Sequence, residues 1–295
     1  MTVGIVEPKP VEMIDGRVRT EAVEINVVRH CNITCRYCSH GSPSMPAWFA
    51  DPGQVEQDLT TLSRWMDLEH VRVLGGEPLL HPDLPQLLRG VRRSGLGGQR
   101  RLLTNGLRLA DQPDELWAEL EEVHVSVYPN TAKHLQRARP AIERAAERTG
   151  TTLRFKHFDH FRISFRRPED HPELTQDIYE TCLIGNRWRC LSVDQGRLHR
   201  CPQAMLAPDP AAVAEDSLTI ADIDSAETVR AWLLRPEALR SCRSCAGSIG
   251  VLRPHRARVP GDVDILPESL DLAYLDRLRE DADADNGCVS VDEPC

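Results

Sequence analysis

The sequence has little that would place the protein in a membrane or outside the cell. No window approaches the roughly 18 consecutive apolar residues of a membrane-spanning helix, so we predict no membrane partner. The first stretch, MTVGIVEPKPVEMIDGRV, carries prolines and acidic residues where a secretion signal has a basic and then an apolar run. We therefore expect a soluble, cytoplasmic protein.

Positive charge is also scarce. The chain has 36 Lys and Arg against 45 Asp and Glu, which gives a net charge of -9. A nucleic-acid partner would require a basic face, so we expect no such partner. Part of the acidity is local, because the last residues, EDADADNGCVSVDEPC, form an acidic segment typical of a solvated terminus.

What is present is a regular alternation of strand and helix patterns, with no internal repeat. Strand-like runs are followed by helical ones as far as Phe158; the strands are predicted in VEINVVR, HVRVLGG, RLLTNG, EVHVSVYP and TTLRFKHF. Five such units predict an α/β fold with right-handed crossovers and a parallel sheet, either curled or flat. In both arrangements, reactive residues belong at the carboxyl ends of the strands.

The pattern changes after Phe158, where the prolines and charges of RRPEDHPEL predict a boundary. A cysteine-rich part follows, in which CLSVDQGRLHRC is typical of a hairpin turning at Gly196. We predict four regions: an N-terminal extension (1–22), a strand-and-helix domain (23–165), a cysteine-rich domain (166–258), and a C-terminal helix with an acidic tail (259–295).

Three of the ten cysteines lie within the segment CNITCRYCSHG, at Cys31, Cys35 and Cys38. Clustered cysteines of a cytoplasmic protein are more typical of a metal site than of disulfides. Three thiolates suit a 4Fe-4S cluster, and the fourth iron is then open to a small chelating molecule. A zinc site completed by His30 or His40 is the alternative.

The spacing C-x3-C-x2-C with Tyr37 before the last cysteine, followed by GGEP at 75–78, resembles the motifs of radical S-adenosylmethionine (SAM) enzymes. The resemblance covers residues 23–158 and implies a partial (β/α) barrel with a 4Fe-4S cluster that binds SAM. It implies that Cys31, Cys35 and Cys38 ligate this cluster. Tyr37 would lie against the adenine, and the glycines of GGEP against the methionine amino group. The residues assigned to the cofactor are Tyr37, Gly75, Gly76, Glu77, Pro78, Thr104, Asn105 and Ser126.

The later cysteines resemble those of a Twitch or truncated SPASM module, which carries one auxiliary 4Fe-4S cluster. This resemblance assigns four ligands, namely Cys182, Cys201, Cys242 and Cys245. Cys190 lies outside the spacing, although an exchange of roles between Cys182 and Cys190 stays open, as does a structural zinc ribbon. Cys288 and Cys295 lie in the acidic tail and are expected to be inert.

The resemblance implies that SAM is cleaved to a 5'-deoxyadenosyl radical, which removes a hydrogen atom from a substrate. A free thiol at Cys190 would return a hydrogen atom, and the outcome would be epimerisation. If Cys190 is instead packed in the hairpin, the auxiliary cluster would accept an electron and a secondary alcohol would be oxidised. Peptide modification and a non-catalytic zinc or iron-sulfur protein are further alternatives.

The substrate is expected to be a small molecule. The stretches SHGSP, LGGEPLLHP, VSVYP and WRC resemble actinobacterial radical enzymes of natural-product pathways, some of which act on sugars or aminoglycosides. The net negative charge would suit a cationic aminoglycoside. The electron donor would be a reducing partner such as flavodoxin or ferredoxin.

Overall fold

A computed structural model describes residues 10–168, 170–262 and 270–280. The strands are β1 Glu12–Ile14, β2 Arg17–Val28, β3 Met66–Gly75, β4 Gln99–Thr104, β5 Glu122–Val127, β6 Thr152–His157, β7 His160–Arg162, β8 Leu191–Asp194, β9 Arg197–His199, β10 Ser217–Thr219 and β11 Leu252–Pro254. The α-helices are α1 Pro52–Leu62, α2 Leu84–Arg93, α3 Asp114–Trp117, α4 Ala132–Thr149, α5 Pro172–Glu180, α6 Pro202–Met205, α7 Pro210–Glu215, α8 Ala226–Leu233 and α9 Leu272–Glu280.

Strands β2 to β6 form the parallel sheet that the sequence predicts. Each strand pairs in parallel with the next. A helix lies between every two successive strands from β2 to β6. The carboxyl ends of these strands therefore lie along one edge of the sheet. The α/β fold class is confirmed.

The two faces of the sheet differ in chemistry. On β2, Val23, Ile25 and Val27 are fully or almost fully buried in the main hydrophobic core, which also contains the apolar sides of α1, α2 and α4. The alternate residues Glu24 and Asn26 are buried on the opposite face. This period of two follows from the pleat, which sends successive side chains to opposite sides.

The sheet continues across the predicted boundary near residue 165. Strand β8 pairs in parallel with β2, and the full order is β10-β9-β8-β2-β3-β4-β5-β6, with β1 beside β2. The predicted hairpin is present, because β8 and β9 pair antiparallel through a turn in which Gln195 and Gly196 have φ of 47° and 74°. The cysteine-rich part is thus joined to the first part through shared backbone hydrogen bonds.

The predicted C-terminal helix is α9, and its apolar side packs into a second, smaller core. Tyr274, Leu275 and Leu278 are buried there against Ile178 and Ile249 of the cysteine-rich part. Strand β11 precedes this helix and pairs antiparallel with β7. The C-terminal part of the described chain therefore folds back toward the end of β6.

No helix within residues 10–168, 170–262 and 270–280 has both the length and the apolar character needed to cross a membrane.

The start of α1 gives a test of how the local sequence stabilises the helices. The Asp51 side chain accepts a hydrogen bond of 2.8 Å from the Gln54 backbone N–H. We expect Asp51→Ala to lower the free energy of unfolding by about 1 kcal/mol, because this N–H loses its partner. Asp51→Asn keeps the accepting oxygen and should remain close to the wild type. Denaturant unfolding of the apoprotein measures both, and equal losses would contradict the capping role.

Candidate active site between two cysteine groups

One cavity of about 340 Å³ opens at the carboxyl ends of the parallel strands. Its wall contains two groups of cysteines, one from the loop after β2 and one from the cysteine-rich part. All of them are free thiols, namely Cys31, Cys35, Cys38, Cys182, Cys201, Cys242 and Cys245. The structure therefore brings the cysteines of both predicted ligand sets to the same cavity.

The first group, Cys31, Cys35 and Cys38, lies on the loop that follows β2. The pKa of Cys31 is raised to about 11 and that of Cys35 to about 12, mainly by burial and in part by the neighbouring thiols of the group. This mutual effect shows that the three sulfurs are electrostatic neighbours. The raised pKa values favour neutral thiols, so the three sulfurs would carry their negative charges together only with a cation bound between them.

The second group is assembled from three separate segments. Cys182 ends the turn after α5, Cys201 follows β9, and Cys242 and Cys245 lie in a short 3-10 turn at 240–244 and directly after it. Burial raises the pKa of Cys242 well above its ordinary value, and the charges of the other three thiols add to the shift. These four cysteines are therefore mutual neighbours.

Backbone N–H groups point at two sulfurs of the second group. Gly185 donates to Cys182 Sγ at 3.3 Å, and Gly247 donates to Cys245 Sγ at 3.3 Å. Hydrogen bonds of this type stabilise thiolates and tune iron-sulfur clusters. The sulfurs of Cys182 and Cys245 thus each have a backbone donor beside them.

The donor sets fit iron-sulfur clusters of two kinds. Three soft thiolates leave one iron of a 4Fe-4S cluster open, and four thiolates complete all corners. Within the described residues, no three His, Cys, Asp or Glu side chains converge on a position for a single metal ion. A cubane does not require such convergence, because each of its cysteines binds a different iron.

Cys190 is not brought to this cavity. It is 5% exposed, its backbone N–H donates to the Ile184 carbonyl at 3.0 Å, and its sulfur is disulfide-bonded. A disulfide sulfur carries no hydrogen atom to donate, and the role of Cys190 as a hydrogen donor stays a prediction. The predicted tail cysteines, Cys288 and Cys295, lie outside the described residues.

The two glycines of GGEP line the cavity and also permit a close backbone contact. Gly76 donates its N–H to the Val28 carbonyl at 2.6 Å. A Cβ on Gly76 would lie 2.0 Å from the His30 carbonyl oxygen, and one on Gly75 would lie 2.2 Å from that of Val28. Gly75 also has a φ of 145°, which disfavours other residues. Only glycine lets the end of β3 close against the start of the cysteine loop.

Glu77 and Pro78 do not line the cavity, and their contact with a cofactor stays a prediction. The Glu77 side chain is fully buried behind the wall. Its carboxylate accepts from Thr104 Oγ1 at 2.6 Å and from the backbone N–H groups of Asn105 and Leu79 at 2.8 and 3.0 Å. Burial raises the pKa of Glu77, and these hydrogen bonds oppose the shift. The hydrogen bonds of Glu77 thus link the end of β3 to the end of β4.

Thr104 and Asn105 both line the cavity, and Asn105 extends the hydrogen-bonded link to the cysteine loop. The Asn105 amide Nδ2 donates to Asn32 Oδ1 at 2.7 Å and lies 3.6 Å from Cys31 Sγ. Its own carbonyl oxygen accepts from the Leu107 N–H at 3.1 Å, which fixes the orientation of the amide. The end of β4 therefore positions the first cysteine of the loop.

Tyr37 and Ser126 also line the cavity, as predicted for residues near the cofactor. Tyr37 has a φ of 61°, in the left-handed region, and the Arg36 guanidinium lies over its ring at 4.5 Å. Burial raises the pKa of the Tyr128 hydroxyl. Sequence reasoning did not single out Tyr128 as a site residue, although it ends the strand pattern that contains Ser126.

A second residue that sequence reasoning missed is His255. Its Nε2 lies 3.1 Å from Cys35 Sγ, and it comes from the segment after β11. The sequence separation is 220 residues. A single histidine in the arginine-rich stretch RPHRARVP carries no motif, so only the folded chain reveals this contact.

Comparison with known proteins supports the domain that these features suggest. Residues 25–157 match the model of the Radical SAM superfamily. This span contains the three-cysteine loop, the two glycines and strands β3 to β6. This part of the chain, which is less than half of its length, is therefore similar to radical SAM superfamily proteins.

Curated relatives are similar over the same region. A GTP 3',8-cyclase 1 of Mycobacterium tuberculosis is 33% identical over 131 residues, which are 39% of this chain and 34% of the relative. A GTP 3',8-cyclase of Streptomyces coelicolor is 33% identical over 124 residues, covering 38% and 34%. The molybdenum cofactor biosynthesis protein 1 of Mus musculus is 35% identical over 94 residues, covering 30% and 14%. The chain thus spans about a third or less of the length of these relatives.

Solved structures that are similar to this chain include two of BtrN. BtrN in complex with AdoMet and 2-DOIA has 14% identity and a TM-score of 0.41, covering 83% of this chain and 97% of that chain. BtrN in an open conformation has 15% identity and a TM-score of 0.43, with 75% and 87% coverage. Both scores lie below 0.5, so no conclusion below depends on these structures.

The contact at Gly76 leads to a matched pair of substitutions. We expect Gly76→Ala to lower the free energy of unfolding by about 3 kcal/mol, because its methyl group would overlap the His30 backbone. Gly98→Ala is the control, since a Cβ there meets its nearest atom, the Glu69 carbonyl oxygen, at 3.4 Å. Denaturant unfolding measures stability, and iron analysis after anaerobic reconstitution should show loss of one cluster in Gly76→Ala alone. Equal behaviour of the two variants would contradict the packing argument.

Proposed function

We propose that this protein is a radical SAM enzyme with two 4Fe-4S clusters, which oxidises a neutral secondary alcohol to a ketone. The observation that carries the proposal is the single cavity lined by one group of three thiols and one of four. Cys31, Cys35 and Cys38 would hold the SAM-binding cluster. The other four cavity cysteines would hold the auxiliary cluster.

When bound, the first cluster supplies the electron that cleaves SAM to a 5'-deoxyadenosyl radical, which takes a hydrogen atom from carbon. The protein residues hold the reacting groups in place. Asn105 fixes the cysteine loop against the end of β4, and Gly76 joins the end of β3 to the end of β2, from which the loop starts. The aromatic side chains of Tyr128 and Phe161 form part of the wall, and apolar surface there would help to keep water from the reacting groups.

Oxidation is favoured over epimerisation by the number of thiols at the cavity. Epimerisation needs a thiol that returns a hydrogen atom to the substrate carbon, in addition to the cluster ligands. The seven cavity cysteines of the described residues are all used as ligands in this proposal, and Cys190 is disulfide-bonded away from the cavity.

The balance of the oxidation is simple. The substrate carbon would lose its hydrogen atom to the adenosyl carbon, its hydroxyl proton would leave to solvent, and a carbonyl would form with release of one electron. Cys182, Cys201, Cys242 and Cys245 would hold the auxiliary cluster that accepts this electron. An oxidised flavodoxin or ferredoxin would then take the electron up, and a reduced one would supply the electron for the first step.

The cavity wall indicates an uncharged, hydroxylated substrate. Among the described lining residues there is no aspartate, glutamate or lysine, and the polar side chains that could bind hydroxyl groups include Ser39, Ser42, Ser164, Gln203 and Ser241. A cationic aminoglycoside would need carboxylates, so the net charge of the chain does not support such a substrate. The triphosphate of GTP would need several cations, and the lining arginine, Arg162, already donates to the Gly250 carbonyl at 2.7 Å.

The assignment of the two cysteine groups is tested by removing each in turn. After anaerobic reconstitution, dithionite and SAM should release 5'-deoxyadenosine from the wild type. The Cys31→Ala, Cys35→Ala, Cys38→Ala triple variant should lose this release and the iron of one cluster. The Cys242→Ala, Cys245→Ala variant should lose the iron of the other cluster and keep SAM cleavage, because the SAM-binding cluster is intact.

Iron and zinc analysis accompanies these assays. Zinc in both groups, or 5'-deoxyadenosine from the triple variant, would refute the assignment.

The reaction outcome is tested with neutral cyclitols and sugars, alongside aminoglycosides, in deuterated water. A substrate deuterated at the reacting carbon should transfer deuterium to 5'-deoxyadenosine, and its ketone product should carry no solvent deuterium. Epimerisation would instead leave the mass unchanged in ordinary water and introduce one deuterium from solvent. Turnover of aminoglycosides but not of neutral compounds would overturn the substrate class, and mass spectrometry measures all of these outcomes.

A further inference from the structure

Residues 252–262, here called the strap, connect the cysteine-rich part to the three-cysteine loop. Arg36 donates its backbone N–H to the Arg256 carbonyl at 3.0 Å, and Arg258 donates to the Thr34 carbonyl at 2.6 Å. Cys35 and Ala257 form an antiparallel bridge between the two segments. The strap thus acts as a short strand along the loop that would carry the SAM-binding cluster.

Asp262, at the C-terminal end of the strap, makes ion pairs and a backbone hydrogen bond. Asp262 accepts from Arg256 at 2.8 Å and from the Val259 backbone N–H at 2.8 Å, and it lies 3.3 Å from the Arg36 guanidinium. Because Arg36 belongs to the cysteine loop, its ion pair with Asp262 connects the strap to the loop in addition to the backbone hydrogen bonds. The position of the strap residues relative to Cys35 is therefore well defined.

His255 is the strap residue that reaches a cysteine sulfur. Its ring stacks on Tyr128 with centroids 4.9 Å apart and planes at 13°, and Phe161 meets it edge-on at 4.9 Å. Its backbone N–H donates to the Asp159 carbonyl at 2.8 Å. With the ring held on two sides, Nε2 points at Cys35 Sγ at 3.1 Å.

The surroundings of the ring decide which nitrogen carries the proton. Nδ1 of His255 is buried and has no hydrogen-bond partner among the described residues. A thiolate that ligates iron carries no hydrogen atom, so a hydrogen bond between it and His255 requires the tautomer with hydrogen on Nε2. Nε2 is then a donor aimed at Cys35.

We propose that His255 is a positioning residue of the SAM-binding cluster, which donates a hydrogen bond from Nε2 to the Cys35 thiolate and raises the reduction potential of the cluster. This inference rests on the proposed function, because it requires a cluster on Cys35. A donor to a ligand sulfur withdraws electron density, and the reduced cluster gains more from it than the oxidised one. Asn105 approaches Cys31 from the opposite side, so the loop receives donors on two of its sulfurs.

The experiment uses the full chain with both clusters reconstituted. His255→Phe keeps an aromatic ring against Tyr128 and removes the N–H donor. We expect its SAM-binding cluster, identified by the EPR signal that SAM addition changes, to have a lower midpoint potential than the wild type, with unchanged iron content. His255→Gln retains an N–H donor and should restore the potential at least in part. His134→Phe, at an exposed position of α4, is the control.

The outcomes separate the inference from the proposed function. A midpoint potential of His255→Phe equal to that of the wild type and of His134→Phe overturns the role of His255. If His255→Phe loses iron, the comparison of His255→Gln with His255→Leu replaces it, and equal potentials in that pair overturn the role as well. A wild-type protein without any SAM-sensitive cluster signal refutes the proposed function itself.

Discussion

The buried Glu77 carboxylate is the interaction on which the site depends most. It is fully shielded from water, and it is stable there because it accepts hydrogen bonds from Thr104 and from two backbone N–H groups. These bonds hold the ends of β3 and β4 together. Asn105 extends the connection to the cysteine loop. The side chain thus acts on the cavity from behind its wall, by fixing the elements that form it.

The same edge of the sheet shows why close backbone packing and cofactor chemistry coincide. Gly76 has no side chain, so the His30 carbonyl can occupy the space that a methyl group on residue 76 would need. The start of the cysteine loop therefore packs directly on the end of β3. The three thiols are then presented to the cavity from a loop fixed on both sides, by Gly76 on one and by the strap on the other. A fixed loop limits rearrangement when a cluster is reduced or oxidised.

The cysteine-rich part is built into the same sheet rather than attached by a linker. Strand β8 pairs with β2, and the strap pairs with the cysteine loop. Both groups of thiols therefore face one cavity at a fixed separation. This arrangement suits electron transfer between a substrate and a second cluster, and it accounts for the proposal of an oxidation. The contact between His255 and Cys35 is a further link between the strap and the cysteine loop.

The periodicity of the sequence by itself determined the order of strands and helices from β2 to β6, because that pattern is a local property of neighbouring residues. The spacing of Cys31, Cys35 and Cys38 and the GGEP motif likewise indicated the chemistry of the site without a structure. Tertiary structure alone decided where Glu77, Cys190 and His255 lie and what they contact. Glu77 lies behind the wall, Cys190 is bonded away from the cavity, and His255 meets a sulfur 220 residues distant. These positions and contacts depend on which distant segments pack together, and no local pattern records that.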